Sequence, residues 1–125
     1  MKTISTKNAP AAIGPYSQAV VAGGFVFVAG QIPLNPQTGE VVGEDIAAQT
    51  EQVLKNISAI LAAAGTDMSR VVRCDVFLSD LGNFAEFNRV YEKYFGKTKP
   101  ARVTVEVSSL PKGVLIEIAV IAEVG

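Results

Sequence analysis

The stretch PARVTVEVSSLPKGVLIEIAVIAEV, residues 100–124, holds two alternating runs joined by SSLPKG, a connection rich in turn formers. Successive side chains of a strand point to opposite faces. In the first run, 101–107, Ala101, Val103, Val105 and Val107 share one face, and Arg102, Thr104 and Glu106 the other. In the second, 114–124, Leu115, Glu117, Ala119 and Ile121 oppose Ile116, Ile118, Val120, Ala122 and Val124. Arg102 is either a solvated edge residue or a receptor for an anion. Glu117 is a carboxylate in a mostly apolar row.

Working back toward the N-terminus, Phe84, Phe87, Tyr91, Tyr94 and Phe95 form a helical stripe that starts near Asn83 and ends at Gly96, with Asn83 and Glu86 fitting a capping box. VVRCDVFL, 71–78, alternates as a strand. Ile46, Val53, Ile57, Ile60 and Ala64 repeat at helical spacing between Asp45 as N-cap and Gly65 as the C-terminal stop. GQIPLNPQTGE, 30–40, is a loop broken by Pro33, Pro36 and Gly39, and AVVAGGFVFVA, 19–29, gives two short strands around Gly23-Gly24. The order strand, strand, helix, strand, helix, strand, strand predicts an α+β fold with both helices on one face of a mixed sheet. No linker or repeat divides the chain, and 125 residues support one core, so residues 1–125 are expected to form a single domain.

Composition narrows the function. The chain is 49% hydrophobic and 18% charged, with a mean hydropathy of +0.32, which is more apolar material than a small monomer hides easily. A homo-oligomer is expected. The net charge of −1 and pI near 5.4 give no electrostatic case for nucleic acid or an anionic membrane. One cysteine leaves no intrachain disulfide and no CxxC metal clip. MKTISTKNAPAAIG lacks the apolar core of a secretory signal, and no apolar run approaches the roughly 20 residues of a membrane span, so the expected location is cytoplasmic. With no histidine there is no Ser-His-Asp triad and no imidazole metal site, and neither a nucleotide-binding glycine loop nor an acidic calcium loop occurs. No cofactor and no metal are expected. Chemistry falls to Arg, Glu, Tyr, Asn, hydroxyls and backbone groups.

Each candidate has a purely structural alternative. Asn88 shares the aromatic stripe, where a buried amide needs hydrogen bonds, and it either ties down a neighbouring loop or faces a ligand. Arg102 and Glu117 form either a structural ion pair or parts of a site. Tyr16 follows Gly14-Pro15 in a rigid turn and serves either packing or function. Cys74, between Arg73 and Asp75, reads as a buried, inert thiol.

NAPAAIGPYSQAV (8–20), AGQIPLNPQTGEVV (29–42) and PARVTVEVSSLPKGVLIEI (100–118) together resemble the Rid family of reactive intermediate deaminases, and within it the imine-deaminating RidA subgroup. The resemblance covers essentially the whole chain. It implies a chorismate-mutase-like α+β fold, with a mixed six-stranded sheet and two helices on one face. It also implies a homotrimer with clefts between subunits. Members hydrolyse 2-imino acids or their enamine tautomers, released by pyridoxal-phosphate dehydratases, to 2-oxo acids and ammonia. Carried over residue by residue, the resemblance makes Arg102 the anion anchor, Glu117 the water-holding carboxylate and Tyr16 a further catalytic residue. Gly30, through its backbone amide, and Asn88 become substrate-binding residues, and the chemistry adds the Thr104 amide as a further candidate donor to the ligand's carboxylate or C2 substituent. Ala29 stands where many members have serine, and Thr104 where many have cysteine; imine hydrolysis needs no thiol, so both are expected to tune substrate preference. Glu117, Tyr16 and a backbone carbonyl all remain candidates for the proton transfer. Competing expectations are a ribonuclease or translation inhibitor, activities also attributed to the family, and a non-catalytic module that binds small carboxylates or acts as a chaperone.

Overall fold

The computed structural model describes residues 1–125. Its strands are β1 (Lys2–Ile4), β2 (Ala19–Ala22), β3 (Phe25–Gln31), β4 (Val71–Leu78), β5 (Ala101–Glu106) and β6 (Ile116–Glu123). Helix α1 (Ile46–Ala63) joins β3 to β4, and α2 (Phe84–Phe95) joins β4 to β5. The strands lie in the order β1-β2-β3-β6-β4-β5. All neighbours are antiparallel except β4 and β5, whose parallel pairing requires the crossover that α2 supplies. The expected mixed six-stranded sheet with two helices is the observed one. Its sixth member is β1, three residues that pair Lys2 with Val21 and Ile4 with Ala19.

Local chemistry sets the helix ends. Asp45 accepts a 2.8 Å hydrogen bond from the Ala48 N–H, the expected N-cap. At the other end Gly65 takes φ +82°, while the Thr66 N–H reaches the Leu61 carbonyl and the Gly65 N–H that of Ala62, each at 3.0 Å. The capping box expected for α2 is absent. Asn83 makes no side-chain cap, because it closes a 3₁₀ turn, Leu81–Asn83, with φ −88° and ψ 2° rather than the extended backbone of a capping residue. Asp80 caps that turn by accepting from the Gly82 N–H at 2.8 Å, and Glu86 pairs with Arg89 instead.

The register sorts side chains into rows. Val28, Val120, Cys74 and Arg102 stand side by side across β3, β6, β4 and β5. Phe27 pairs with Ile121, Asp75 with both Ala119 and Val103, and Phe77 with both Glu117 and Val105. Both helices cover the first face. Val53, Leu54, Ile57, Ile60 and Leu61 of α1 and Phe87, Tyr91 and Phe95 of α2 join Val26, Val28, Cys74, Val76, Ile116, Ile118 and Val120 in one core. A fully buried side chain of this size stabilises the fold by about 1.5–3 kcal/mol. The other face has no cover. Phe27 is 45% exposed and Val103 42%, with Val105 and Phe25 also exposed beside them. The valines of β5 therefore face outward, and Arg102 and Thr104 face the helices.

Candidate active site

Arg102 lies against the aromatic stripe of α2. Its Nη1 donates to Asn88 Oδ1 at 2.7 Å, and its Cζ lies 4.8 Å from the ring centre of Tyr91, 5.5 Å from Phe84 and 5.7 Å from Phe87. This is its only hydrogen bond within the chain, and no carboxylate pairs with it. A guanidinium carries five N–H donors in a planar fork, so most of that fork is free. Asn88 thus neither ties down a loop nor stands alone; it holds the arginine. A cavity of about 450 Å³ opens here, lined by Asn88, Tyr91, Lys99 and Arg102 among others. Thr104, two residues on, shares the Arg102 face, and its hydroxyl is buried without a partner. β5 is the sheet's edge, so part of its backbone hydrogen-bonding row faces outward.

Glu117 stands on the other face, in the row of Phe77 and Val105. The alternation that puts Arg102 beside buried Cys74 puts Glu117 on the open side, so no Arg102–Glu117 ion pair forms within the chain. Partial burial pushes its carboxyl above the usual glutamate range. Its environment is a cleft of about 610 Å³ lined by Tyr16, Ala29, Gly30, Lys112 and Glu117 among others. Gly30 makes room for the carboxylate: a Cβ there would lie 2.1 Å from Glu117 Oε2. Tyr16 is 54% exposed, and its hydroxyl accepts a 3.4 Å hydrogen bond from the Ile13 N–H. The chain therefore brings Tyr16, Gly30 and Glu117 together, and separately Asn88, Arg102 and Thr104. It does not bring the two sets together.

Buried amides that the sequence pattern did not flag hold the loops around the Glu117 cleft. Gln18 accepts from the Thr6 N–H at 2.7 Å and donates to the carbonyls of Thr6, Ala9 and Pro10, fixing the segment before Tyr16. Asn56 of α1 donates to the Leu34 carbonyl at 3.0 Å, and Gln49 accepts from the Leu115 N–H at 2.8 Å. Lys112 is another residue the pattern passed over. It stands at φ +56° in a 3₁₀ turn (Pro111–Gly113) on the cleft rim and donates to the Gly39 carbonyl at 3.3 Å. Cys74 is buried, as expected, and its thiol is pushed up to about 11 mainly by that burial. Nowhere do three metal-ligating side chains converge, and no helix is long and apolar enough to cross a membrane.

The family model described as Endoribonuclease L-PSP matches residues 6–124. The chain belongs to this family, whose members include the Rid proteins. It is 60% identical to a RutC family protein of Pyrococcus horikoshii over 121 residues, 97% of this chain and 96% of the relative. Among solved structures, YyfA of the conserved Rid family from Yersinia pestis superposes with a TM-score of 0.95 at 53% identity, covering 98% of each chain. TdcF of E. coli, solved with bound serine, gives a TM-score of 0.93 at 43% identity and covers 100% of each chain. These L-PSP and Rid proteins share the fold described above over their full length.

Proposed function

We propose that this L-PSP family protein is a hydrolytic deaminase of small 2-imino acids and their enamine tautomers. 2-Iminobutanoate, 2-iminopropanoate and 2-aminoacrylate fit the reading, and the products are 2-oxo acids and ammonia. One observation carries it: a part-buried guanidinium with one hydrogen bond, no counter-ion and an open fork. A planar fork of this kind matches a carboxylate bidentately. Binding of serine, a small amino acid, by the similar TdcF points to the same ligand class.

The chemistry needs a second half. Water adds to C2 of the imine, forming the C–O bond while the C=N π pair moves to nitrogen, which takes up a proton. The resulting carbinolamine re-forms C=O as the C–N bond breaks, and ammonia leaves with the hydroxyl proton. Glu117 is the group suited to hold the water and carry that proton, with Tyr16 and a backbone carbonyl as further candidates. The Gly30 and Thr104 amides are donors for the carboxylate, and Asn88 keeps the fork in place. Because Arg102 and Glu117 occupy opposite faces of one sheet, a working site needs Arg102 from one subunit and Glu117 from the next. A homotrimer that covers the open apolar face supplies that arrangement. Imines already hydrolyse in water, so positioning plus one acid–base group, worth about 10²- to 10⁴-fold, is sufficient. A cytoplasmic setting beside pyridoxal-phosphate dehydratases follows from the short life of the substrate.

The test is a coupled assay in which the protein is added to a threonine dehydratase reaction and release of 2-oxobutanoate is timed. Acceleration supports the reading, and an unchanged time course contradicts it. The family's name, Endoribonuclease L-PSP, favours a second reading, RNA cleavage. The chain offers it no histidine. Cleavage of RNA by parent and Arg102→Ala protein alike, without faster imine hydrolysis, would establish that alternative.

A further inference from the structure

The aromatic residues of α2 fall at positions 84, 87, 91 and 95, and their rings form a continuous ladder with centroid spacings of 6.2, 5.4 and 4.8 Å. Arg102 lies along this ladder and comes nearest to Tyr91. Tyr91 is only 7% exposed, and its buried hydroxyl lies near Cys74 and Arg102 without making a hydrogen bond of good geometry to either. Its other neighbour at the sheet is Cys74, which sits opposite Arg102 in the β4–β5 ladder. Burial keeps both the phenol and the thiol protonated near neutral pH. The guanidinium therefore rests on a π face rather than on a carboxylate, although Glu92 and Lys99 line the same cavity.

We infer that Tyr91 is a positioning residue for the anion site: its ring fixes the plane of the Arg102 guanidinium, Asn88 fixes its rotation in that plane, and the free edge of the fork is left facing the ligand. A carboxylate partner would also hold the arginine, but it would occupy the fork. An aromatic face attracts the cation without using any N–H. The inference rests on the reading of Arg102 as the carboxylate anchor and adds what keeps that anchor both ordered and vacant. The contact is made by the ring face and not by a well-formed hydrogen bond from the hydroxyl, so the ring should suffice.

The probe is 2-oxobutanoate, a small carboxylate, with its affinity measured by calorimetry on the full chain beside the melting temperature. Tyr91→Phe should bind within about twofold of the parent. Tyr91→Leu, which keeps apolar bulk and loses the π face, should bind about 2- to 30-fold more weakly, the range of a cation–π contact. In turnover the same variant should raise KM and change kcat less. A loss of affinity and a raised KM in Tyr91→Leu at an unchanged melting temperature is the outcome a merely space-filling role would not give. If Arg102→Ala loses binding while folded Tyr91→Leu binds like the parent, the inference is overturned and the anion reading stands. If Arg102→Ala binds like the parent, the anion reading itself falls. Should Tyr91→Leu not fold, the parent protein decides by NMR: ring currents should move the Arg102 guanidinium resonances upfield. Resonances at ordinary arginine positions would refute the stacking.

Discussion

Arg102 donates one N–H to Asn88 and leaves the rest of its fork unpaired, in a part-buried position where an isolated cation is costly. A bidentate charge-assisted contact there is worth about 1.5–3 kcal/mol, so Arg102→Ala should lower kcat/KM by roughly ten- to a hundredfold. The melting temperature should change little, because no carboxylate is stranded by the substitution. Arg102→Lys should recover little of the activity, since an ammonium cannot reproduce the fork. At Gly30, space rather than backbone freedom is the constraint. A Cβ would meet Glu117 Oε2 at 2.1 Å, so Gly30→Ala should push the carboxylate aside. A displacement of about 1 Å costs on the order of 10²-fold in kcat, measured on a protein that keeps its melting temperature. Glu117 itself has a raised folded-state pKa. Folding therefore favours its protonated form, and the relative stability it confers is present at low pH and lost as pH rises through the folded value. Glu117→Gln should accordingly melt no lower than the parent at neutral pH. If the ionised form holds the water, the parent's kcat/KM should fall on acidification at a pH above the ordinary glutamate range. Glu117→Gln should lose both that acid limb and most of the turnover.

At the scale of elements, the sequence patterns were strongest where periodicity was long. The stripe of α1 and its two caps could be read from Asp45, Ile57 and Gly65, because each obeys a local rule that the tertiary structure does not override. β1 went unread, since three residues are too few to display alternation. The start of α2 was misread for a physical reason: a 3₁₀ turn capped by Asp80 takes over the task assigned to Asn83. For the candidate site, the sequence nominates residues but does not place them relative to one another. Alternation separates Arg102 from Val103 and Glu117 from Ile116, but only the register with β4 says that Arg102 shares a face with Cys74 and Glu117 with Phe77. That same register gives a prediction for β4. Cys74 packs in the row beneath the helices, and Cys74→Ala should cost on the order of 1 kcal/mol by chemical denaturation. With its thiol pushed up to about 11 and buried, Cys74 should also resist alkylating reagents in the native protein, which should keep full activity under them.

At the scale of the whole molecule, the uncovered sheet face and the divided site make one argument. Phe27, Val103 and Val105 expose apolar surface beside Glu117, and contiguous exposure of this kind marks an interface. Light scattering should give about three times the 13.1 kDa chain mass. Val103→Glu should lower that mass and the activity together while the core stays folded. The most direct test of the shared site is complementation between two impaired variants, Arg102→Ala and Glu117→Gln, unfolded together and refolded as mixed assemblies. Each site then needs an intact Arg102 on one side and an intact Glu117 on the other, a chance of about one in four in randomly mixed closed rings. Recovery of about a quarter of the parent's imine hydrolysis is the predicted result. Mixed assemblies confirmed by mass spectrometry that recover no activity would contradict a site divided between subunits.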